Sequence, residues 1–323
     1  MKKKKVLLIK MGALGDIVHS TVISQAIKES YPDCEIHYLT TQFHTSILEQ
    51  SPYVDKIIVY KNKLFETVKE LFKNRYDVIF GLNYTLKIAL LSYLLLPKRV
   101  VFRGYKGVSW VENYFNTAKV VFKNIKLPER LHLLQDEELS KNFEEELKKF
   151  PKPHVLFCPG RVSNNARQGR IWNIDKWNEL SKEILKRYGG TIFVIGSTNE
   201  RKYHEVLEKE RVHIYTGKHG LKQTMALVSN ADFIISADSG PVHIASAYNV
   251  KSLSILGSTS PDKIKPYGEN GYYVGPKTEC KYCWKKKCNK LAKNNIYTPC
   301  IESIDVEDIL VAIDKNNLLQ KNE

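Results

Sequence analysis

The residues best suited to chemistry form one stretch, 232–247, which reads DFIISADSGPVHIASA. The apolar run Phe233–Ser236 predicts a buried strand, and Pro241 suits the first turn of a helix that follows it. Gly240 allows a ligand or another backbone to come close, and Ser239 can cap the helix. The stretch therefore predicts a strand that leads directly into a helix.

Polar groups at this junction could hold a sugar and its phosphates. Asp238, which could also cap the helix, can accept hydrogen bonds from two hydroxyls, and His243 can add a donor on the first helical turn. The amides and dipole of a helix start favour an anion. The junction thus fits a nucleotide-sugar site, and it fits equally a capped strand–helix corner without any ligand.

A second strand–helix junction lies near the start of the chain, where Gly12 and Gly15 flank a tight turn before Asp16. The pattern is neither GxGxxG nor a Walker A loop. Asp16 has two interpretations: it caps the helix, or its carboxylate acts as a general base toward a hydroxyl.

Residues 159–172, reading PGRVSNNARQGRIW, follow another predicted strand and carry three arginines, Arg161, Arg167 and Arg170. Guanidinium groups clustered beyond the carboxyl end of a strand suit phosphate. The alternative is a solvated loop.

Four of the six cysteines cluster near the end of the chain, at Cys280, Cys283, Cys288 and Cys300. The CxxC start allows a structural zinc site, although the other spacings are irregular. The alternatives are a reduced, partly buried thiol cluster and adventitious disulfides formed after purification. Four thiolates would leave no open position for catalysis by the metal. Lysines and aromatic residues within 281–287 could bind nucleic acid, or simply form a solvated loop.

Strand and helix patterns alternate along the chain, which predicts an α/β protein with two doubly wound parallel sheets. The alternation is interrupted over 103–127, a segment with basic and aromatic residues that we interpret as a functional loop on the acceptor side, with Arg103 and Lys106. We predict an N-terminal domain at 1–150. The C-terminal domain, 151–323, is predicted to contain a Cys-rich loop at 276–301 and a final helix.

The 323 residues carry a formal net charge of +15, which favours anionic partners such as nucleic acid, a membrane surface or a phosphorylated substrate. The apolar run after MKKKK is too short for a signal peptide, and no stretch reaches the length of a membrane span. We expect a cytoplasmic protein with reduced thiols.

Three segments together resemble glycosyltransferase family 9, the lipopolysaccharide core heptosyltransferases: KVLLIKMGALGDIVHS, the Pro159–Gly160 turn followed by Trp172, and SADSGPVHIASA. The resemblance spans nearly the whole chain. It implies a GT-B architecture, in which two Rossmann-like domains face each other across a cleft. It also implies metal-independent, inverting transfer of heptose from ADP-heptose, which agrees with the absence of a DxD sequence, and no cofactor for catalysis.

The resemblance also implies roles for individual residues. Asp16 would activate the acceptor hydroxyl, and Arg170 stands where the family usually has a lysine. The residues assigned to the donor side are Asp238, Ser239, Gly240, Pro241, His243, Arg170, Glu200 and His219. The acceptor would be Kdo or heptose on lipid A, reached at an anionic membrane surface on the cytoplasmic face of the inner membrane. The alternatives are a transferase that uses another nucleotide sugar on a different surface glycan, and a basic nucleic-acid-binding protein, although the resemblance leads us to expect no nucleic acid.

Overall fold

A computed structural model of the protein describes residues 4–83, 85–102, 108–160, 169–291 and 295–321. The chain forms two compact units, Met1–Leu134 and Gln135–Glu323. A domain boundary at 150 stays a prediction, and the structure groups helix Glu137–Leu147 with the second unit.

The first unit is built on a five-stranded parallel sheet in the order β3-β2-β1-β4-β5. The buried strands are short apolar runs rich in valine and isoleucine, as expected where both faces of a sheet are covered. The chain adds strands on one side of β1 and then returns to add them on the other, so β1 and β4 flank the switch point. The strands are β1 (Lys5–Ile9), β2 (Glu35–Thr40), β3 (Lys56–Val59), β4 (Val78–Gly81) and β5 (Arg99–Phe102).

Helices cover both faces of this sheet. They are α1 (Leu14–Ser30), α2 (Thr45–Glu49), α3 (Leu64–Phe72), α4 (Leu86–Leu94) and α5 (Trp110–Lys119). Helices α1 and α5 pack against each other, whereas α3 and α4 share one apolar core with the sheet through Leu71, Ile88 and Leu91.

The interpretation of 103–127 as a loop is wrong over Trp110–Lys119, where α5 lies, whereas 108–109 and 120–127 belong to no helix or strand. Ser109 and Glu112 form a capping box at its start. The buried residues Val111, Tyr114, Phe115 and Ala118 follow helical spacing and pack the helix onto the unit. Arg103 and Lys106 lie outside the described residues.

The second unit contains a six-stranded parallel sheet in the order β11-β10-β9-β6-β7-β8, with the switch point between β6 and β9. The predicted alternation is confirmed here, and strand β11 at the edge is an addition to it. The strands are β6 (His154–Cys158), β7 (Thr191–Val194), β8 (Val212–Ile214), β9 (Phe233–Ala237), β10 (Lys251–Ile255) and β11 (Gly271–Val274).

The helices of the second unit alternate with these strands. They are α6 (Glu137–Leu147), α7 (Ile174–Tyr188), α8 (Arg201–His204), α9 (Leu221–Ser229), α10 (Gly240–Ala247), α11 (Pro261–Ile264), α12 (Pro299–Glu302) and α13 (Val306–Lys315). Two fully buried tryptophans, Trp172 and Trp177, centre the core. Within the described ranges, no helix has both the length and the apolar composition needed to cross a bilayer.

Candidate active site

The glycine turn of the first unit lies at its switch point. The Met11 amide, just beyond β1, donates to Asn83 Oδ1 just beyond β4 at 2.8 Å, so the turn is tied across the two central strands. Gly12 has a φ of +135°, a conformation that disfavours any side chain. Gly15 is the second residue of α1 and therefore lies within the helix.

Asp16 is the third residue of α1, and the cap residue is Ala13, so the interpretation of Asp16 as the helix cap is wrong. The carboxylate instead accepts a hydrogen bond from Lys10 Nζ at 2.9 Å. The Lys10 side chain is 3% exposed, while that of Asp16 is 33% exposed. A buried ammonium requires such a partner. The lysine is therefore enclosed, and the carboxylate presents its open side to solvent.

A histidine adds to this set of polar groups. His44 follows β2 and forms a hydrogen bond with Thr41 Oγ1 at 2.8 Å. Burial lowers the pKa of His44, and the nearby Lys10 ammonium lowers it further. A hydrogen bond with the Gly12 backbone raises it in part. A neutral imidazole, an ammonium and a carboxylate thus meet at one edge of the first sheet.

The strand–helix junction of the second unit has the predicted form. Strand β9 is fully buried, and α10 starts at Gly240 with Pro241 in its first turn. Ser239 is the cap residue, but its hydroxyl makes no cap hydrogen bond; it contacts Ser236 Oγ at 2.8 Å and Cys158 Sγ at 3.3 Å. The first amides of α10 are therefore not satisfied by that side chain.

Asp238 forms a two-pronged ion pair with Arg170. The guanidinium donates from Nε to Oδ2 at 2.6 Å and from Nη2 to Oδ1 at 2.7 Å. Nη2 also donates to the Asp238 carbonyl at 2.8 Å, and Thr259 Oγ1 donates to Oδ2 at 2.7 Å. A carboxylate has about four acceptor positions, so these bonds leave little capacity for anything else.

Exposure within this pair is the reverse of that in the first unit. The Asp238 side chain is 3% exposed and that of Arg170 is 36% exposed. The backbone before Arg170 is anchored as well, because the Ser258 amide donates to the Gly169 carbonyl at 2.9 Å. The guanidinium is thus fixed in place with one edge open. Arg161 and Arg167, the other members of the predicted cluster, lie outside the described residues.

His243 lies in the first turn of α10 and is buried. Burial lowers its pKa to about 3, and the Arg170 charge contributes to the lowering. The imidazole is therefore neutral near pH 7 and can donate one hydrogen bond without adding a positive charge.

The two remaining donor-side predictions fall at the carboxyl ends of β7 and β8. Glu200 closes a local turn by accepting a hydrogen bond from the Ser197 amide at 2.6 Å. His219 packs against the rings of Phe143 and Tyr215, and burial lowers its pKa. Its Nε2 atom is buried with no hydrogen-bond partner in the part of the chain that the structure describes. Such an atom is costly unless a ligand or water satisfies it.

The four clustered cysteines are free thiols, with Cys300 buried and Cys283 exposed. Burial raises the pKa of Cys300, and the other three thiols raise it further, so the four lie in one neighbourhood. Over the described ranges, however, no group of three or more His, Cys, Asp or Glu residues is arranged to hold a metal ion. A structural zinc at these four cysteines stays a prediction.

Sequence reasoning missed two partners in these pairs. Lys10 was visible as a charged residue that ends an apolar strand, and Thr259 lies in the hydroxyl-rich segment STS after β10. Both gain their importance only from contacts that the fold creates.

Two parallel sheets, each with an ion pair at its switch point, define an α/β protein of GT-B architecture. The fold matches that of E. coli ADP-heptose lps heptosyltransferase II, with a TM-score of 0.78 over 97% of this chain and 98% of that chain at 18% identity. E. coli heptosyltransferase WaaC with ADP matches with a TM-score of 0.72 over 97% of this chain and 99% of that chain, at 15% identity.

Residues 64–293 match the model of glycosyltransferase family 9 (heptosyltransferase). The chain therefore belongs to glycosyltransferase family 9 and is a glycosyltransferase. It is also 26% identical to lipopolysaccharide heptosyltransferase 1 of Campylobacter coli over 302 residues, which cover 79% of this chain and 84% of the relative.

Proposed function

We propose that this protein transfers heptose from ADP-heptose to the inner core of lipopolysaccharide, onto Kdo or heptose carried by lipid A. The observation that carries the proposal is the Arg170–Asp238 pair, which holds a partly exposed guanidinium beside the start of α10. A fixed guanidinium next to helix amides that the Ser239 hydroxyl does not cap is suited to a diphosphate.

In this proposal the donor lies against the second unit. Arg170 and the amides near Ser239 and Gly240 take the diphosphate, and neutral His243 donates one further hydrogen bond. Asp238 primarily orients Arg170, and its remaining acceptor position is available to a sugar hydroxyl. The His219 Nε2 atom, which has no hydrogen-bond partner among the described residues, supports a nucleoside contact there, and Glu200 is assigned to the same end of the donor.

The chemical step exchanges one carbon–oxygen bond for another. The acceptor hydroxyl gives its proton to the Asp16 carboxylate while its oxygen attacks the anomeric carbon. The bond from that carbon to the phosphate oxygen breaks, and ADP leaves with the electron pair. Attack from the opposite face inverts the anomeric centre. Arg170 and the α10 amides stabilise the charge that develops on ADP.

The acceptor is anchored in a lipid, so we place the reaction at the cytoplasmic face of the inner membrane. Arg103 and Lys106 are assigned to the acceptor side from sequence. Support for the donor comes from relatives whose names specify heptosyltransferase, and from a solved structure of one with ADP. The nucleic-acid alternative rested on charge and gains nothing from the family assignment.

A ligand screen tests the donor. ADP and ADP-heptose should raise the melting temperature, because a ligand that binds only the native state stabilises it, and UDP, GDP and CMP should raise it less. ADP-heptose transfer to a purified core acceptor should continue in EDTA. A clear shift with UDP but none with ADP would contradict the ADP assignment and favour another nucleotide sugar.

A further inference from the structure

Helix α4 presents apolar side chains to solvent as well as to the core. Ile88, Leu91 and Leu95 are buried in the first unit. Outside, Leu86 is 87% exposed and is followed at helical spacing by the exposed Leu90 and Tyr93. A helix that is apolar on all sides is normally enclosed on all sides.

Helix α3 extends this exposed region. Its outer face carries Phe65, which is 84% exposed, and Phe72 one heptad later, with Lys69 between them. The two helices contact each other and pack on the same face of the sheet. We call the outer side of this helical layer the α3–α4 surface; its apolar members are Phe65, Phe72, Leu86, Leu90, Tyr93, Leu94 and Leu96.

Basic residues accompany these apolar side chains. Residues 60–99 contain eight Lys or Arg and three Asp or Glu, so the segment carries a clear positive excess. Two of the acidic residues are already paired, Glu66 with Lys63 and Asp77 with Lys98. Lys87 lies over the Tyr60 ring at 4.3 Å, which places a charge beside the first turn of α4.

A surface that combines apolar side chains with cations fits an anionic bilayer better than a second copy of this chain. A second copy of this chain would bring two surfaces of the same charge together, which disfavours association. An anionic bilayer accepts leucine and phenylalanine below its headgroups, tyrosine at the interface and lysine at the phosphates.

We infer that the α3–α4 surface docks the enzyme on an anionic phospholipid bilayer. The inference rests on the proposed function in one respect, the lipid-anchored acceptor. The start of α4 also lies at the edge of the first sheet that holds the glycine turn, since Asn83 beyond β4 bonds to Met11. Docking through α4 would thus hold Asp16 near membrane-linked sugars.

Vesicle sedimentation tests this surface directly. The wild type should bind vesicles of phosphatidylcholine mixed with phosphatidylglycerol. Leu86→Gln/Leu90→Gln should weaken that binding by about tenfold or more, because it removes two exposed leucines that would insert into the bilayer. Lys69→Gln/Lys73→Gln should weaken binding to the mixed vesicles by several-fold, with a smaller salt dependence, and leave binding to pure phosphatidylcholine unchanged.

The matched control is Val206→Gln/Val311→Gln, which replaces two exposed apolar residues of the second unit and should bind like the wild type. Equal vesicle binding by the leucine variant and this control would overturn the inference. So would a wild-type dimer that the leucine substitutions dissociate. Transfer to a deacylated, soluble acceptor separates the two proposals: it should be unchanged in the leucine variant, and its absence in the wild type would contradict the proposed function alone.

Discussion

Each of the two strand–helix junctions pairs a buried charge with a partly exposed charge of opposite sign, but the sign of the buried charge differs between them. In the first unit the cation, Lys10, is enclosed and the carboxylate of Asp16 is one-third exposed. In the second unit the carboxylate of Asp238 is enclosed and the guanidinium of Arg170 is one-third exposed. The enclosed member of each pair orients the other. The exposed member then shows what each junction can offer a substrate: a proton acceptor in one and an anion-binding group in the other.

The largest expected effect comes from Asp16→Asn, which keeps the shape but removes the proton acceptor. Turnover at saturating ADP-heptose should fall by about 10²–10⁴, the usual contribution of a general base. Calorimetric affinity for ADP-heptose should change little. Near-normal turnover would mean that Asp16 serves only to accompany the buried Lys10.

The second test disrupts the Arg170–Asp238 pair at the other junction. Asp238→Asn leaves Arg170 without its two-pronged partner, and we expect ADP affinity to fall by about ten- to a hundredfold, as for a lost charged hydrogen bond. Arg170→Lys keeps the charge without the planar geometry and should produce a smaller loss. Calorimetry with ADP measures both. Wild-type ADP affinity in both variants would remove this pair from the donor site.

The third test uses acid. The pKa of His243 is lowered from 6.5 to about 3, so the folded state resists a proton that the unfolded chain accepts. Its contribution to stability is complete above pH 6.5 and declines as the pH falls toward 3, by roughly 1.4 kcal/mol per pH unit.

Urea unfolding at several pH values should therefore show a shallower loss of stability between pH 6.5 and 4 for His243→Asn than for the wild type. His44→Asn at the first junction provides the comparison, since burial lowers that pKa too. An unchanged slope in the His243 variant would mean that this imidazole takes up a proton as readily in the folded protein as in the unfolded chain.

The smallest effects distinguish the two glycines of the first junction, Gly12 before α1 and Gly15 within it. Gly12→Ala forces an alanine backbone to adopt a φ of +135° and should destabilise the protein by about 1–3 kcal/mol. Gly15→Ala lies within α1 and should be neutral or stabilising by up to about 1 kcal/mol. Chemical denaturation measures both, and equal effects would contradict the distinction.

The fold was largely predictable from sequence because its strands are short apolar runs separated by helical periodicity. The exceptions have physical reasons. Helix α5 was hidden by its aromatic and polar composition, and β11 is an edge strand with a partly exposed sequence, GYYV. Alternating apolar runs and helical patterns predict the central strands and the helices that cover them. They do not predict elements such as α5 and β11, which depend on tertiary packing.

The candidate site was predictable only in part. Asp16 and Asp238 stood out because acidic residues followed apolar strands. Their partners did not, since Arg170 reaches Asp238 across 68 residues and that pairing leaves no periodic trace. The nearly continuous apolar run of α4 likewise gives no sign in the sequence that one side of the helix is exposed.

The anchoring of Arg170 has a consequence for the timing of donor binding. Three hydrogen bonds to Asp238 and the Gly169–Ser258 contact hold the guanidinium before any ligand arrives. Ordering a mobile side chain on association typically costs about 0.5–1.5 kcal/mol, and this preorganised arginine avoids that cost. At Arg170, ADP should therefore meet a side chain that is already in place. Differences in affinity between nucleotides should then come mainly from their dissociation rates and less from their association rates.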